Sequence, residues 1–158
     1  GFATSVMKAL SHSGLSPSRL ELEVTESVFL REISGAMATL EQVRALGVRL
    51  VLDDFGTGYS SLGYLRMGQF STIKVDRSFV KGALAGAPES IAIIRAVVAL
   101  ADSLKMSTTA EGVESRDEAE AIVALGCRKL QGYYFGKPMA AEEARAIFAY
   151  QQRGSSAA

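Results

Sequence analysis

Apolar strand-like runs alternate with amphipathic helical patterns along almost the whole of this 158-residue chain. The strand-like runs are short, and they are Leu20–Val24, Val48–Leu52, Thr72–Val75, Ser107–Ala110 and Lys129–Leu130. The helical patterns carry apolar residues on one face, and they cover Ala3–Ser13, Ser34–Leu46, Ser61–Met67, Glu89–Leu104, Arg116–Leu125 and Ala141–Gln151. Such alternation predicts parallel strands joined by right-handed crossovers. The predicted fold class is therefore α/β.

Polar side chains recur at the carboxyl end of every predicted strand. In chain order they are Glu23 and Glu26, Asp53 and Asp54, Lys74 and Asp76, Glu111, and Gln131. The carboxyl ends of parallel strands meet at one edge of the sheet, where the active sites of α/β folds gather. The sequence therefore predicts one polar site built from all five strands.

The segment after Leu52 is the most informative part of this set. Asp53 and Asp54 are adjacent, and Gly56 and Gly58 allow a tight loop that can approach a ligand closely. Two like charges at the edge of a core are unfavourable unless a cation neutralises them. Carboxylate oxygens suit a hard divalent ion. A solvated Asp-Asp turn is the alternative for the pair taken alone.

Composition excludes several classes of protein. The formal net charge is zero and 48% of residues are apolar, so the chain is neither disordered nor a basic domain that binds DNA or RNA. Arg95 interrupts the longest apolar stretch, so we expect no membrane contact. Cys127 is the single cysteine and His12 the single histidine, which excludes an internal disulfide and a metal site with several histidines.

Two architectures fit five parallel strands. A closed (β/α)8 barrel typically needs about 250 residues, so five strands make an incomplete barrel. An open five-stranded sheet is the alternative. A nucleotide-binding sheet of that kind would carry a glycine-rich phosphate loop after its first strand, and Thr25-Glu26-Ser27 is not such a loop.

Five segments in the same order and spacing resemble the EAL domain family of bacterial cyclic-di-GMP phosphodiesterases. They are Glu21–Ser27, Asp53–Ser61, Lys74–Phe79, Ala110–Glu114 and Gln131–Phe135. The resemblance extends from Phe2 to Ile147. It implies a TIM-like barrel in the bacterial cytoplasm whose two-metal site hydrolyses cyclic-di-GMP to pGpG. The implied ions are Mg²⁺ or Mn²⁺.

The resemblance also implies a role for each matching residue. Glu23 and Asp53 match metal ligands, and Asp53 matches the one that bridges both ions. Asp54 and Glu111 match metal ligands or residues that hold water at the second ion. Lys74 matches the residue that contacts the attacking water, and Glu111 acts beside it.

Three further residues match positions that surround this centre. Gln131 and Asp76 match polar positions near the substrate, and Glu26 matches the glutamate that holds the loop Asp54–Ser61. Two alternatives stay open: Lys74 could only pair with Asp76 or Glu111, and Glu26 could be a helix-end charge.

The Glu-Ala-Leu signature of the family is absent, as is the strand that supplies an asparagine ligand. The resemblance places both before Gly1. Residues 1–152 are therefore expected to be the C-terminal part of an EAL domain, with about five of its eight strands. Residues 153–158 are expected to be a flexible tail. Such a part would expose two unpaired strand edges and an apolar barrel interior. We therefore expect impaired catalysis and self-association, for example as a homodimer.

Three functions remain distinguishable by experiment. A phosphodiesterase forms pGpG when a divalent ion is present, whereas an inactive binding or regulatory module retains cyclic-di-GMP without forming product. A structural partner would act through its exposed strand edges. The presence together of Glu23, Asp53, Asp54, Lys74 and Glu111 favours the enzyme, because a pure binding module need not keep metal ligands.

Overall fold

The structure is a computed structural model that describes residues 1–28, 33–56, 65 and 70–147. The strands are β1 (Glu21–Thr25), β2 (Arg49–Phe55), β3 (Thr72–Val75), β4 (Ser107–Ala110) and β5 (Lys129–Leu130). The helices are α1 (Phe2–Ser13), α2 (Ile33–Ala45), α3 (Arg77–Leu84), α4 (Pro88–Ser103) and α5 (Arg116–Ala124), with a 3-10 turn at Pro17–Arg19 and a last helix described over 141–147. The predicted tail 153–158 and, apart from Leu65, the predicted helix Ser61–Met67 lie outside the described residues.

All five strands form one parallel sheet in the order β1-β2-β3-β4-β5. Each crossover therefore adds its strand on the same side of the previous one, as in a barrel; in a doubly wound sheet the direction reverses at a switch point. The sheet is also strongly curved. Lys129 Nζ of β5 lies 4.0 Å from Glu21 Oε1 of β1, although three strands separate them in the sheet. The predicted α/β fold with an incomplete barrel is confirmed.

The two faces of the sheet have opposite chemistry. The convex face packs under the helices and carries buried apolar residues such as Leu50, Leu52, Ile73 and Val75. The concave face, which is the barrel interior, carries polar and charged residues in the alternate positions, except for the buried apolar Val51 of β2. They include Glu21, Glu23, Arg49, Thr72, Lys74, Thr109 and Lys129. The expectation of an apolar interior is wrong, because the hydrophobic core lies between sheet and helices.

Strand β2 extends further than its apolar run predicts. It continues through Asp53 and Asp54 to Phe55, so the two carboxylates lie within the end of the strand. The pairing with β3 shifts register between Leu52 and Phe55, and Asp54 has a φ of 56°. This is a β-bulge, which redirects side chains at the edge of a site.

Helix α3 is not among the predicted helices. It begins directly after Asp76, whose Oδ1 accepts a hydrogen bond from the backbone N–H of Ser78 at 2.9 Å. An aspartate at a helix start, followed by the apolar pair Phe79 and Val80, was the available signal. Pro88 lies at the start of α4, as its position predicts. Among the described residues, no helix is long and apolar enough to cross a membrane.

Candidate metal centre

Side chains from four neighbouring strands converge at the carboxyl edge of the sheet around Lys74. Lys74 Nζ lies 2.8 Å from Glu23 Oε1 in β1, 3.2 Å from Asp53 Oδ1 in β2 and 2.5 Å from Glu111 Oε1, which follows β4. The register explains the convergence, because β3 is the middle strand and Glu23, Asp53 and Lys74 share the concave face. The Lys74 side chain is only 5% exposed. A single buried ammonium therefore holds three carboxylates together.

A second set of three carboxylates, which shares Asp53 and Glu111 with the partners of Lys74 and adds Asp54, could hold a metal ion. One oxygen each from Asp53, Asp54 and Glu111 lies within 4.8 Å of the other two. In a regular strand Asp53 and Asp54 would point to opposite faces, and the bulge in β2 brings both to the same site. An all-oxygen donor set of this charge fits a hard divalent cation.

The charges of the cluster are poorly balanced. Burial raises the pKa of Asp54, and the negative charge of Asp53 raises it further. Burial also raises the pKa of Glu111, although its hydrogen bond to Lys74 acts in the opposite direction. Burial lowers the pKa of Lys74, because it disfavours the charged ammonium. Hydrogen bonds to Glu111 and Glu23 raise this pKa by more, so that it lies above its usual value. The site stays rich in negative charge, which favours a cation.

Asp76 lies close to the cluster but has a structural task of its own. Its carboxylate accepts hydrogen bonds from the backbone N–H of Ser78 at 2.9 Å and from Ser78 Oγ at 2.5 Å. These bonds lower the pKa of Asp76. Asp76 therefore caps the first turn of α3, which begins immediately after the strand that carries Lys74.

Glu26 is 8% exposed, and its Oε2 atom has no hydrogen-bond partner within the described part of the chain. A buried carboxylate oxygen normally has a partner, so this one requires an explanation. The role implied for Glu26 concerns the loop Asp54–Ser61, and residues 57–61 of that loop lie outside the described residues. The predicted contact thus stays a prediction.

Gln131 lines a cavity of about 260 Å³ next to Glu111. Arg77 and Tyr133 line the same cavity, and the Arg77 guanidinium pairs with Glu114. Gly112 has a φ of 70°, and a Cβ at this position would overlap the Arg77 side chain. Sequence reasoning assigned no role to Arg77, although it directly follows Asp76 at the start of α3 and so lies at the same sheet edge.

Fold and site together define part of a parallel α/β barrel with a carboxylate-rich, metal-compatible centre at the carboxyl edge of its strands. The EAL domain family model matches residues 1–138, and the chain belongs to the EAL domain family.

Relatives of known name support the same family. The bifunctional diguanylate cyclase/cyclic di-GMP phosphodiesterase MucR of Pseudomonas aeruginosa is 46% identical over 143 residues, which are 90% of this chain and 21% of that protein. The structure of the MucR phosphodiesterase in complex with cyclic-di-GMP superposes with a TM-score of 0.84 at 45% identity, covering 91% of this chain and 58% of that one.

A manganese/cyclic-di-GMP complex of BlrP1 from Klebsiella pneumoniae is also similar, with a TM-score of 0.78 at 33% identity. This match covers 85% of the present chain and 34% of the BlrP1 chain. The chain thus spans only part of each protein that it resembles.

Proposed function

We propose that this chain is the C-terminal part of an EAL domain, over residues 1–152, and that its site hydrolyses cyclic-di-GMP to pGpG with Mg²⁺ or Mn²⁺. The observation that carries the proposal is the convergence of Glu23, Asp53, Glu111 and Lys74 at one end of the sheet, with Asp54 brought to the same place by a bulge. The phosphodiesterase names of the relatives support the choice of substrate.

Asp53, Asp54 and Glu111 would hold the metal, with Glu23 as a further ligand from β1. When bound, divalent ions neutralise the phosphodiester and make a water molecule more acidic. The protein supplies a fixed set of oxygen donors for these ions. Asp53 and Asp54 lie in β2, and Glu111 directly follows β4 with its backbone N–H bonded to the Val75 carbonyl of β3, so the sheet sets the separation of these donors.

The remaining residues of the site position the substrate and the attacking water. The three hydrogen-bond donors of the Lys74 ammonium have carboxylate partners in this structure. When Asp53 or Glu111 turns away towards a metal ion, the donor released would hold a water or a phosphate oxygen. Gln131 lines the adjacent cavity and can orient a polar group of the substrate. Asp76 fixes the start of α3 beside that cavity.

Replacement of Asp53 by asparagine tests the metal centre. Asp53→Asn removes a charge shared by the ion-pair cluster and the candidate metal ligands, so it should abolish Mn²⁺ binding and any formation of pGpG. Asp102→Asn is the matched control, because Asp102 pairs with Arg128 on the surface, away from this cluster. Calorimetry with Mn²⁺ and chromatography of the nucleotide products would measure both effects. Unchanged Mn²⁺ binding in Asp53→Asn would refute the assignment.

The same assay separates the enzyme from an inactive binding module. Retention of cyclic-di-GMP without pGpG, in the presence of Mg²⁺ or Mn²⁺, would favour the binding or regulatory function. Extension of the chain upstream by the Glu-Ala-Leu segment of the family should increase hydrolysis by orders of magnitude. Equal rates for the two lengths would show that residues 1–158 contain every ligand that the reaction needs. Cytoplasmic location and the absence of DNA, RNA and membrane partners stay predictions.

A further inference from the structure

We propose that Lys74 is the internal counter-ion of the carboxylate cluster, which keeps the site assembled without metal and competes with a divalent ion for Asp53 and Glu111. The inference rests on the metal centre of the proposed function and adds a second role to Lys74. It predicts that one side chain stabilises the metal-free fold and weakens metal binding.

The ion pairs of Lys74 support the first half of this inference. An ammonium has three hydrogen-bond donors, and Lys74 Nζ has three carboxylate partners, Glu23, Asp53 and Glu111, at 2.8, 3.2 and 2.5 Å. These partners come from β1, β2 and the end of β4. The ion pairs of Lys74 therefore link side chains from β1, β2, β3 and the residue after β4, in addition to the backbone hydrogen bonds between these strands.

Burial makes this connection costly to remove. The Lys74 side chain is 5% exposed, and those of Asp53 and Glu111 are 17% and 21% exposed, whereas the Glu23 side chain is 51% exposed. Removing one member of a buried ion pair leaves the other charge without compensation, which is strongly destabilising. Without Lys74, three carboxylates would repel one another at the sheet edge. The metal-free fold would then lose stability.

The second half follows from the overlap of two sets of residues. Asp53 and Glu111 are partners of Lys74, and together with Asp54 they also form the group that could hold a metal ion. A divalent ion at this group would lie close to the ammonium and be repelled by it. Each carboxylate has two oxygens, so an ion need not displace Lys74, but the repulsion between the two cations weakens the contacts of Lys74 with its two shared partners. Lys74 therefore raises the concentration of divalent ion that is needed to occupy the site.

Replacement of Lys74 by methionine separates the two effects. Lys74→Met keeps a long apolar stem and removes the charge, so the melting temperature in EDTA should fall. Mn²⁺ should then raise the melting temperature of this variant more than that of the unmodified chain. Calorimetry should show a Kd for Mn²⁺ that is lower by at least about tenfold. Lys8→Met, on the exposed face of α1, is the control and should change neither quantity.

Equal or weaker Mn²⁺ binding by Lys74→Met would overturn the inference. If Lys74→Met fails to fold, Mn²⁺ binding is compared with and without Lys74→Met in the Glu23→Gln variant, which has one negative charge fewer in the cluster. Mn²⁺ should bind more tightly to Lys74→Met/Glu23→Gln than to Glu23→Gln alone, and the opposite order would overturn the proposal. Failure of the metal centre itself has a different signature, because then the unmodified chain and all variants would bind no Mn²⁺.

Discussion

Asp76 shows at the scale of one residue how a site position and a helix cap coincide. Its carboxylate bonds Ser78 at the first turn of α3, so Asp76→Ala should lower the free energy of unfolding by about 1 kcal/mol. Asp76→Ser retains a good cap and is the matched control. Chemical denaturation at neutral pH would measure the difference. Equal losses in both variants would mean that the cap contributes nothing.

The same carboxylate gives this contribution a pH dependence. The hydrogen bonds lower the pKa of Asp76 in the folded chain, so the unfolded chain binds the proton more readily. The stabilisation is present above the ordinary aspartate pKa of about 4 and is lost as the pH falls through the lowered pKa. The stability difference between the chain and Asp76→Ala should therefore shrink in acid. Denaturation curves across this range would check the sign.

Sequence reasoning placed the side chains of the candidate site at one edge of the sheet, but it did not predict their contacts. The strand-end positions of Glu23, Asp53, Lys74 and Glu111 followed from periodicity and from the family resemblance. A single pairing of Lys74 was the alternative considered, and the structure shows three partners. The number of partners depends on strand register, which is fixed by packing of the convex face and cannot be calculated from local pattern.

At the scale of the element, the bulge in β2 is the feature that the sequence did not reveal. The apolar run ends at Leu52, so the strand was expected to end there, but pairing with β3 continues to Phe55. Five strand positions and four of the predicted helices agree with the structure to within a few residues, because their apolar periodicity is strong. The predicted helix Ala141–Gln151 agrees over 141–147, the part that the structure describes. Helix α3 was missed because it is short and directly follows a strand end.

The bulge leads to a prediction about Asp54. Its φ of 56° is tolerated by aspartate and asparagine but not by a β-branched residue. Asp54→Asn and Asp54→Val both remove the charge, so both should weaken Mn²⁺ binding. Asp54→Val should in addition lose about 1–2 kcal/mol of stability relative to Asp54→Asn. Denaturant titration of the two variants would measure this difference, and equal stabilities would show that the backbone relaxes freely.

At the scale of the whole molecule, the sheet has two open edges. Within the described residues, β1 and β5 each pair with one neighbour only. An apolar cavity of about 750 Å³ lies beside β1 and includes Phe2, and one of about 580 Å³ lies beside β5 and includes Phe135. Phe2 and Phe135 are 57% and 58% exposed. Unpaired edges next to exposed apolar groups favour association.

We therefore expect the isolated chain to self-associate, for example as a homodimer. Phe135→Lys places a charge at the β5 edge and should shift the equilibrium towards monomer. Val123→Lys is the control, because Val123 is 55% exposed on α5 and lines neither cavity. Analytical ultracentrifugation over a dilution series would measure the change. A stable monomer that unfolds cooperatively would show that five strands make a self-sufficient sheet.

Because the two faces of the sheet differ in chemistry, alternate residues of a strand should be conserved for different reasons during evolution. Residues that point outwards, such as Leu50 and Ile73, belong to the apolar core, whereas the inward-pointing Lys74 belongs to the proposed metal centre. Substitution of outward-pointing residues should therefore lower protein abundance, whereas substitution of inward-pointing polar residues other than Lys74 should lower the proposed activity in an abundant protein. Substitutions at inward-pointing positions could then alter the proposed site during evolution while the apolar core between sheet and helices stays the same.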